Sequence, residues 1–299
     1  MPTSKPKGLE KIWREVKRPF RKLLRRVRRG PAAINTQLND IVNALEQQRQ
    51  EIVALQEKIT KIPDDINING SIAHVLSVYN LHQQVFPKYK NIHQGKEVVI
   101  VATGPSLKDY IPIENAIHIG VNRAFQFDKI KLDYYFLHDY GGFTPSYFQD
   151  AMDYKGNNVR KFFGILKFRF PELFIPESKA IEAETERYYL NQMWETEIPY
   201  DISTTAFPEY GSVVFHALLF ALYTNPAKIY LVGCDCNLSG YFDNNEKNWL
   251  DMNFVLNGWR KFKQYAQSYY PDTQIISINP VGLKGYFFDT YTNERFANA

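Results

Sequence analysis

Apolar positions along the chain change their period twice, and each change marks a different element. From Leu9 to Val27 they recur at three-and-four spacing (Leu9, Ile12, Trp13, Val16, Phe20, Leu23, Leu24, Val27), which predicts one apolar helical face with Lys and Arg on the other. Pro19 predicts a kink in that helix, because proline has no N–H and its ring clashes with the preceding turn. From Ile34 the spacing alternates four and three without a break through Leu38, Ile41, Leu45, Gln48, Ile52, Leu55, Ile59 and Ile62. This is a coiled-coil seam of about four heptads, on the order of 40 Å long. An isolated helix of this polarity is marginal in water, so the seam predicts a partner helix. Gln48, its one polar member, would set the register, and Pro63 ends it.

Residues 64–95 are mixed, with a short helix expected near 72–85, and read as a connector. Beyond residue 96 short apolar runs alternate with helical stretches. Strands are expected over Glu97–Ala102, Ala116–Val121, Tyr134–Leu137, Lys228–Gly233 and Gln274–Ile278. Helices are expected after the first strand and over Ser212–Tyr223 and Trp249–Tyr269. Such alternation predicts an α/β fold: a Rossmann-like, doubly wound, mostly parallel sheet over residues 96–299. The expected organisation is therefore a basic amphipathic helix (1–30), a coiled-coil stalk (31–63), a connector (64–95) and a ligand-binding α/β domain.

Charge separates the same regions. Residues 1–30 hold twelve Lys and Arg against Glu10 and Glu15, a balance of +10, so the remainder carries −6 of the total +4. A mildly acidic body argues against a nucleic-acid substrate, whose phosphates need a basic track. A basic amphipathic helix with Trp and Phe instead predicts attachment to an anionic membrane surface. No apolar run is long enough to span a membrane, and the basic start is not followed by the apolar stretch of a cleavable signal. The expected location is cytoplasmic, peripheral on the inner face of the membrane. The 299 residues contain 44% apolar side chains, enough for a sizeable core, and two cysteines, too few for a disulfide framework.

Candidate chemistry collects at strand ends. The run Val98–Ala102 breaks at Thr103-Gly104-Pro105-Ser106-Leu107, a strand–turn–helix pattern that in open α/β sheets meets phosphorylated ligands. It is neither a dinucleotide fingerprint nor a P-loop. Ser106, Asn122, Asp139, Asp235 and Asn279 would line one edge of the sheet. Asp235 is equally suited to capping nearby amides, and His138 to a buried strand end. Arg123 could neutralise a leaving phosphate. Cys234 and Cys236 read as packing residues. No Asp-x-Asp pair is present to hold a phosphate-bridging ion, so no metal and no cofactor are expected.

The segments Val-Ala-Thr-Gly-Pro-Ser-Leu (101–107), Val-Asn-Arg-Ala-Phe (121–125), Gly-Ser-Val (211–213) and Ile-Tyr-Leu-Val-Gly-Cys-Asp (229–235) resemble the bacterial lipooligosaccharide sialyltransferases. They are also similar to a wider group with motility accessory factors and hydroxymethylpterin pyrophosphokinases. The resemblance spans roughly residues 96–280 and implies a CMP-sugar site. Thr103, Gly104 and Ser106 would lie at the nucleotide phosphate or ribose, with Thr103 where an Asn is usual. Asn122 would contact the nucleotide sugar, with Asp139 near a second such position. Gly211 and Ser212 would receive the sugar or cytosine end, and Tyr241 the phosphate, while Asn237 stands where a companion tyrosine is expected. The family's general-base histidine has no counterpart, because no His follows His216. Asp139, Asp243 and, more weakly, His138 are the candidate bases.

The resulting expectation is a membrane-associated glycosyltransferase of bacterial surface glycan synthesis. It would move an acidic sugar such as sialic acid from a CMP-sugar to a lipid-linked or surface glycan acceptor, without a metal ion. The alternatives are a pterin-type pyrophosphokinase and a non-catalytic nucleotide-binding scaffold. Ile and Leu in the seam depart from the Ile-a, Leu-d arrangement that favours dimers, so residues 34–62 predict a homo-oligomer, a tetramer first.

Overall fold

A computed structural model describes residues 40–45, 47–51, 67–138, 145–165, 185–194, 197–243 and 251–292. The chain divides into two units, residues 1–73 and 74–299. In the first, residues 40–45 and 47–51 are helical, and the seam residue Leu45 is exposed in the single chain. The basic tail and the rest of the stalk lie outside the described residues. No helix among the described residues is long and apolar enough to cross a membrane.

The second unit is built on one nine-stranded sheet. Its strands are β1 (Glu97–Val101), β2 (Ile117–Val121), β3 (Tyr134–Leu137), β4 (Arg160–Ile165), β5 (Glu186–Trp194), β6 (Phe207–Glu209), β7 (Lys228–Val232), β8 (Gln274–Ile278) and β9 (Phe288–Thr290). They lie in the order β6-β5-β4-β3-β2-β1-β7-β8-β9, and every pair is parallel. The chain winds outward from β1 to β6, then returns to place β7 against the other side of β1. The order reverses there, so the carboxyl ends of β1 and β7 open a crevice.

Burial on both faces explains the continuous apolar runs in the central strands. Val98, Ile100 and Ala102 join one core, while Val99 and Val101 join the other. The first face is covered by helices α3 (Val214–Tyr223) and α4 (Met252–Tyr269). All ten residues of α3 are buried, so its sequence is apolar all round, and each buried Leu or Phe contributes roughly 1.5–3 kcal/mol. In α4 the buried positions Val255, Trp259, Phe262 and Ala266 follow helical spacing, and Asp251 caps the first turn by accepting from Asn253 N at 2.9 Å. The second face is covered by α2 (Pro145–Asp153), which buries Ala151, and by the segments after β1 and β2, which contribute Leu107, Tyr110, Ala124 and Phe127. Helix α1 (Asn67–Val85) is longer than the 72–85 stretch expected from sequence.

The segment after β1 corrects one expectation. A helix was predicted to follow the Gly-Pro-Ser-Leu turn, but Pro105–Asp109 forms a single short 3-10 helix. Its bonds run to the third residue back, Leu107 N to Gly104 O and Tyr110 N to Leu107 O. Pro112 then disfavours α geometry at Ile111, so the turn cannot propagate.

Candidate active site

The crevice between the ends of β1 and β7 is closed at its base by backbone packed on backbone. Gly104 N donates to Gly233 O at 2.8 Å, and a side chain at 104 would put its Cβ 2.6 Å from that oxygen and from Asp235 Cγ. Gly233 has φ +66°, a left-handed turn in which a Cβ would lie 2.7 Å from Ala102 O. Both glycines are therefore required by the close approach of the two turns.

Asp235 locks the turns together. Its Oδ2 accepts from Ser106 N at 2.8 Å and its Oδ1 accepts from the Ser106 hydroxyl. Burial lifts its pKa above the ordinary carboxylate value, the Ser106 hydrogen bonds pull it back, and the Asp109 charge adds a smaller push. The amides of Gly104, Ser106 and Leu107 are all engaged within the two turns. Ser106 thus faces Asp235 in this structure and is not among the residues lining the open cleft.

That cleft encloses about 90 Å³. It brings together Thr103, Gly104, Asn122, Ser212, Asp235, Asn237 and Tyr241 of the residues singled out from sequence, with Trp259, Met252 and Val255 of α4 behind them. Asn122 follows β2 with φ +46°, and its carbonyl oxygen accepts from the Tyr135 hydroxyl at 2.8 Å. Its side-chain Oδ1 is buried and has no hydrogen-bond partner among the described residues. A buried acceptor left unmet costs roughly 1–3 kcal/mol, and a ligand hydroxyl or amine in the cleft would recover it. Asn237 Oδ1 accepts from Ser239 N at 3.0 Å, so its amide nitrogen is the group it can offer a ligand. Ser212 Oγ lies 3.4 Å from Val214 N at the start of α3. Gly211, at φ +74°, donates its N–H to Glu209 Oε1 at 2.8 Å.

Arg123 adjoins the cleft without lining it. Its guanidinium pairs with Asp243 at 3.0 Å and lies 5.4 Å from the centre of the Tyr241 ring. Asp243 is thus joined to a cation beside Tyr241. Asp139 lies outside the described residues. His138 is buried against His216, with ring centres 5.0 Å apart, and does not line the cleft; burial holds its pKa down to about 4. Burial also raises both cysteine thiols, Cys236 to about 12, so neither is a thiolate near neutral pH. Asn279 does not reach the cleft, because its side chain fastens Thr292 through bonds of 2.7 and 3.0 Å. Sequence reasoning missed Glu209 and the tyrosine Tyr188 that meets His216, and no local motif marks either of them.

No family model matches the chain, and no curated protein matches it. Among solved structures, the fold is similar to the sialyltransferase CstII from Campylobacter jejuni, determined in complex with the substrate analogue CMP-3FNeuAc. The likeness covers 64% of this chain and 85% of that one at 15% identity, with a TM-score of 0.42.

Proposed function

We propose that this protein is a glycosyltransferase whose β1–β7 cleft binds a CMP-activated acidic sugar and transfers it to a lipid-linked or surface glycan. The observation that carries the reading is Asn122 Oδ1, a buried acceptor without a partner in the wall of a cleft at the switch point of the sheet. A sugar or ribose hydroxyl is the natural donor to it. Tyr241 lines the cleft, so in this reading its hydroxyl would meet the departing CMP phosphate, and Arg123, over the Tyr241 ring, would reach that charge by exchanging its Asp243 partner. In this reading a CMP donor releases a single phosphate, which hydroxyl and amide donors can stabilise without a cation, so the proposed transfer is metal-independent. The acceptor hydroxyl needs a base, and Asp139, next in sequence to His138, is the residue we assign to it over the ion-paired Asp243.

Calorimetry with CMP tests the site. Asn122→Gly keeps the left-handed backbone and removes the acceptor, so affinity should fall roughly 5–30-fold, the worth of one hydrogen bond. Unchanged affinity in the folded variant would move the site elsewhere. Binding of ATP with Mg²⁺ but not CMP would favour a pyrophosphokinase, and binding of no nucleotide a scaffold.

The tail and stalk extend the proposal to a membrane-bound oligomer on the inner face. Deleting residues 1–30 should release the protein from anionic liposomes while leaving CMP binding intact. Starting the chain at Asp64 should convert a tetramer to a monomer by light scattering. Liposome binding by the first truncation, or a tetramer from the second, would remove that part of the reading.

A further inference from the structure

We propose that His138, Glu209 and His216 form a binding site for one divalent transition-metal ion, zinc by its ligand chemistry, separate from the donor cleft. The three residues come from three elements: His138 follows β3, Glu209 ends β6 and His216 sits in the first turn of α3. All three are buried, and one ligand atom from each lies within 4.8 Å of the others.

The hydrogen bonds identify which atoms face the ion. His216 Nε2 lies 3.0 Å from Pro208 O, a group that can only accept, so that nitrogen carries the proton and Nδ1 carries the lone pair. On that one lone pair converge the Tyr188 hydroxyl at 3.0 Å and His138 Nδ1 at 3.3 Å. One in-plane lone pair serves one donor well, so two groups compete for it. A cation between the two imidazoles resolves the competition. Tetrahedral zinc with bonds of about 2.0–2.1 Å holds its ligand atoms roughly 3.3 Å apart, the separation of the two Nδ1 atoms. Glu209 Oε2 stands 3.7 Å from His138 Nδ1 and 3.9 Å from His216 Nε2, within 4.8 Å of the other ligand atoms, so its carboxylate must swing inward to reach ligand spacing from both imidazoles. Tyr188 oxygen or a water completes the four. The Pro208 carbonyl is the outer partner that orients a metal-bound histidine.

Two imidazoles and one carboxylate suit zinc or iron(II) and disfavour calcium and magnesium, which take oxygen ligands. Room for the cluster is made by Gly164, where a Cβ would stand 2.6 Å from His138 Cβ and 2.9 Å from the Tyr188 hydroxyl. The ion would tie β3, β6 and α3 together. It would also act on the cleft indirectly, because the other oxygen of Glu209 holds Gly211 N, next to Ser212 in the cleft wall. The assignment does not depend on the donor-site reading.

The test uses the full chain, purified without a metal-binding tag, stripped with a chelator and titrated with ZnCl2 or CoCl2. We expect one zinc per chain by elemental analysis, a higher thermal midpoint with zinc, and the visible absorption of tetrahedral cobalt. Glu209→Gln, which keeps the side-chain shape, and His138→Gln should each weaken zinc binding at least tenfold, whereas the Cys234→Ser/Cys236→Ser pair should not. Circular dichroism of the stripped chain establishes that it is folded before titration. Absence of stoichiometric zinc in the folded chain overturns the proposal. So does zinc retained by both cluster variants or lost only with the cysteines.

Discussion

Two of the openings around the sheet differ in size and chemistry in opposite directions. The larger, about 530 Å³, lies where the last turns of α4 (Ala266, Gln267) meet the start of β8 (Gln274, Ile275) and the aromatic run Tyr286–Phe288. One of its polar members is spent on structure: Thr273 donates to Pro226 O at 2.8 Å. Among the described residues none of its lining side chains has a buried polar atom lacking a partner. The smaller cleft, about 90 Å³, lies at the carboxyl ends of β1 and β7 and has such an atom in Asn122. Volume records where side chains leave a gap. An unmet buried acceptor beside two turns that admit only glycine records where a ligand is expected.

The most severe break of this comparison is Gly104→Ala. The added methyl would stand 2.6 Å from Gly233 O and from Asp235 Cγ, so the turns must part and the Ser106–Asp235 bonds must stretch. Overpacking of this kind typically costs about 1–3 kcal/mol of stability. CMP affinity should fall by about 100-fold or more, because the displaced turn forms one wall of the cleft. Calorimetry beside a thermal melt checks both numbers. Wild-type affinity in this variant would transfer the claim to the larger opening.

The same contrast explains what could be read from sequence. β3 and β8 have the bounds predicted from their apolar runs, and β1, β2 and β7 come within a residue or two, because central strands are buried on both faces. The outer half of the sheet was missed. β5, Glu-Arg-Tyr-Tyr-Leu-Asn-Gln-Met-Trp, mixes charged and apolar positions, and β6 and β9 have three residues each, too short for a period. At the site, strand-end position alone brought out Asn122 and Asp235. It could not reveal that Ser106 is occupied by Asp235, 129 residues away, or that Arg123 is occupied by Asp243, 120 residues away. The His138–His216 contact spans 78 residues and joins the end of β3 to α3, which no local pattern in the sequence brings together.

A smaller effect separates the stability of the frame from the chemistry of either opening. His82 on α1 is buried between Ile202 O, 2.8 Å from Nδ1, and Tyr189 N, which donates to Nε2 at 2.8 Å. One partner can only accept and the other can only donate, so the ring must be neutral. Burial holds its pKa down to about 4, and burial with the nearby Lys96 does the same for His93. The folded state therefore binds fewer protons than the unfolded chain below the ordinary value of about 6.5. Their contribution is fully present above pH 6.5 and is lost as pH falls toward 4, on the order of 1–2 kcal/mol by pH 5 for the fully enclosed His82 and less for His93. Urea unfolding at pH 7.5, 6 and 5 should show this decline. His82→Gln, whose amide can both donate and accept, should remove one histidine's share of it. A flat wild-type profile would mean that these rings are solvated in solution.

The smallest expected effect is at the larger opening, and it is the sharpest form of the comparison. Gln267 and Phe288 line that opening, and Phe288 is exposed at the edge strand β9. Replacing either by Ala removes contact surface there without disturbing the β1–β7 turns or any hydrogen bond described for the cleft. CMP affinity should stay within about twofold of wild type, and stability within about 0.5 kcal/mol, the usual range for surface changes. Distant substitutions act additively, and Gln267 and Phe288 line a different opening from Asn122, Asp235 and Tyr241. A tenfold loss of CMP affinity in Gln267→Ala or Phe288→Ala, with the thermal midpoint unchanged, would show that the aromatic opening holds the ligand. The unmet acceptor at Asn122 would then need a different partner.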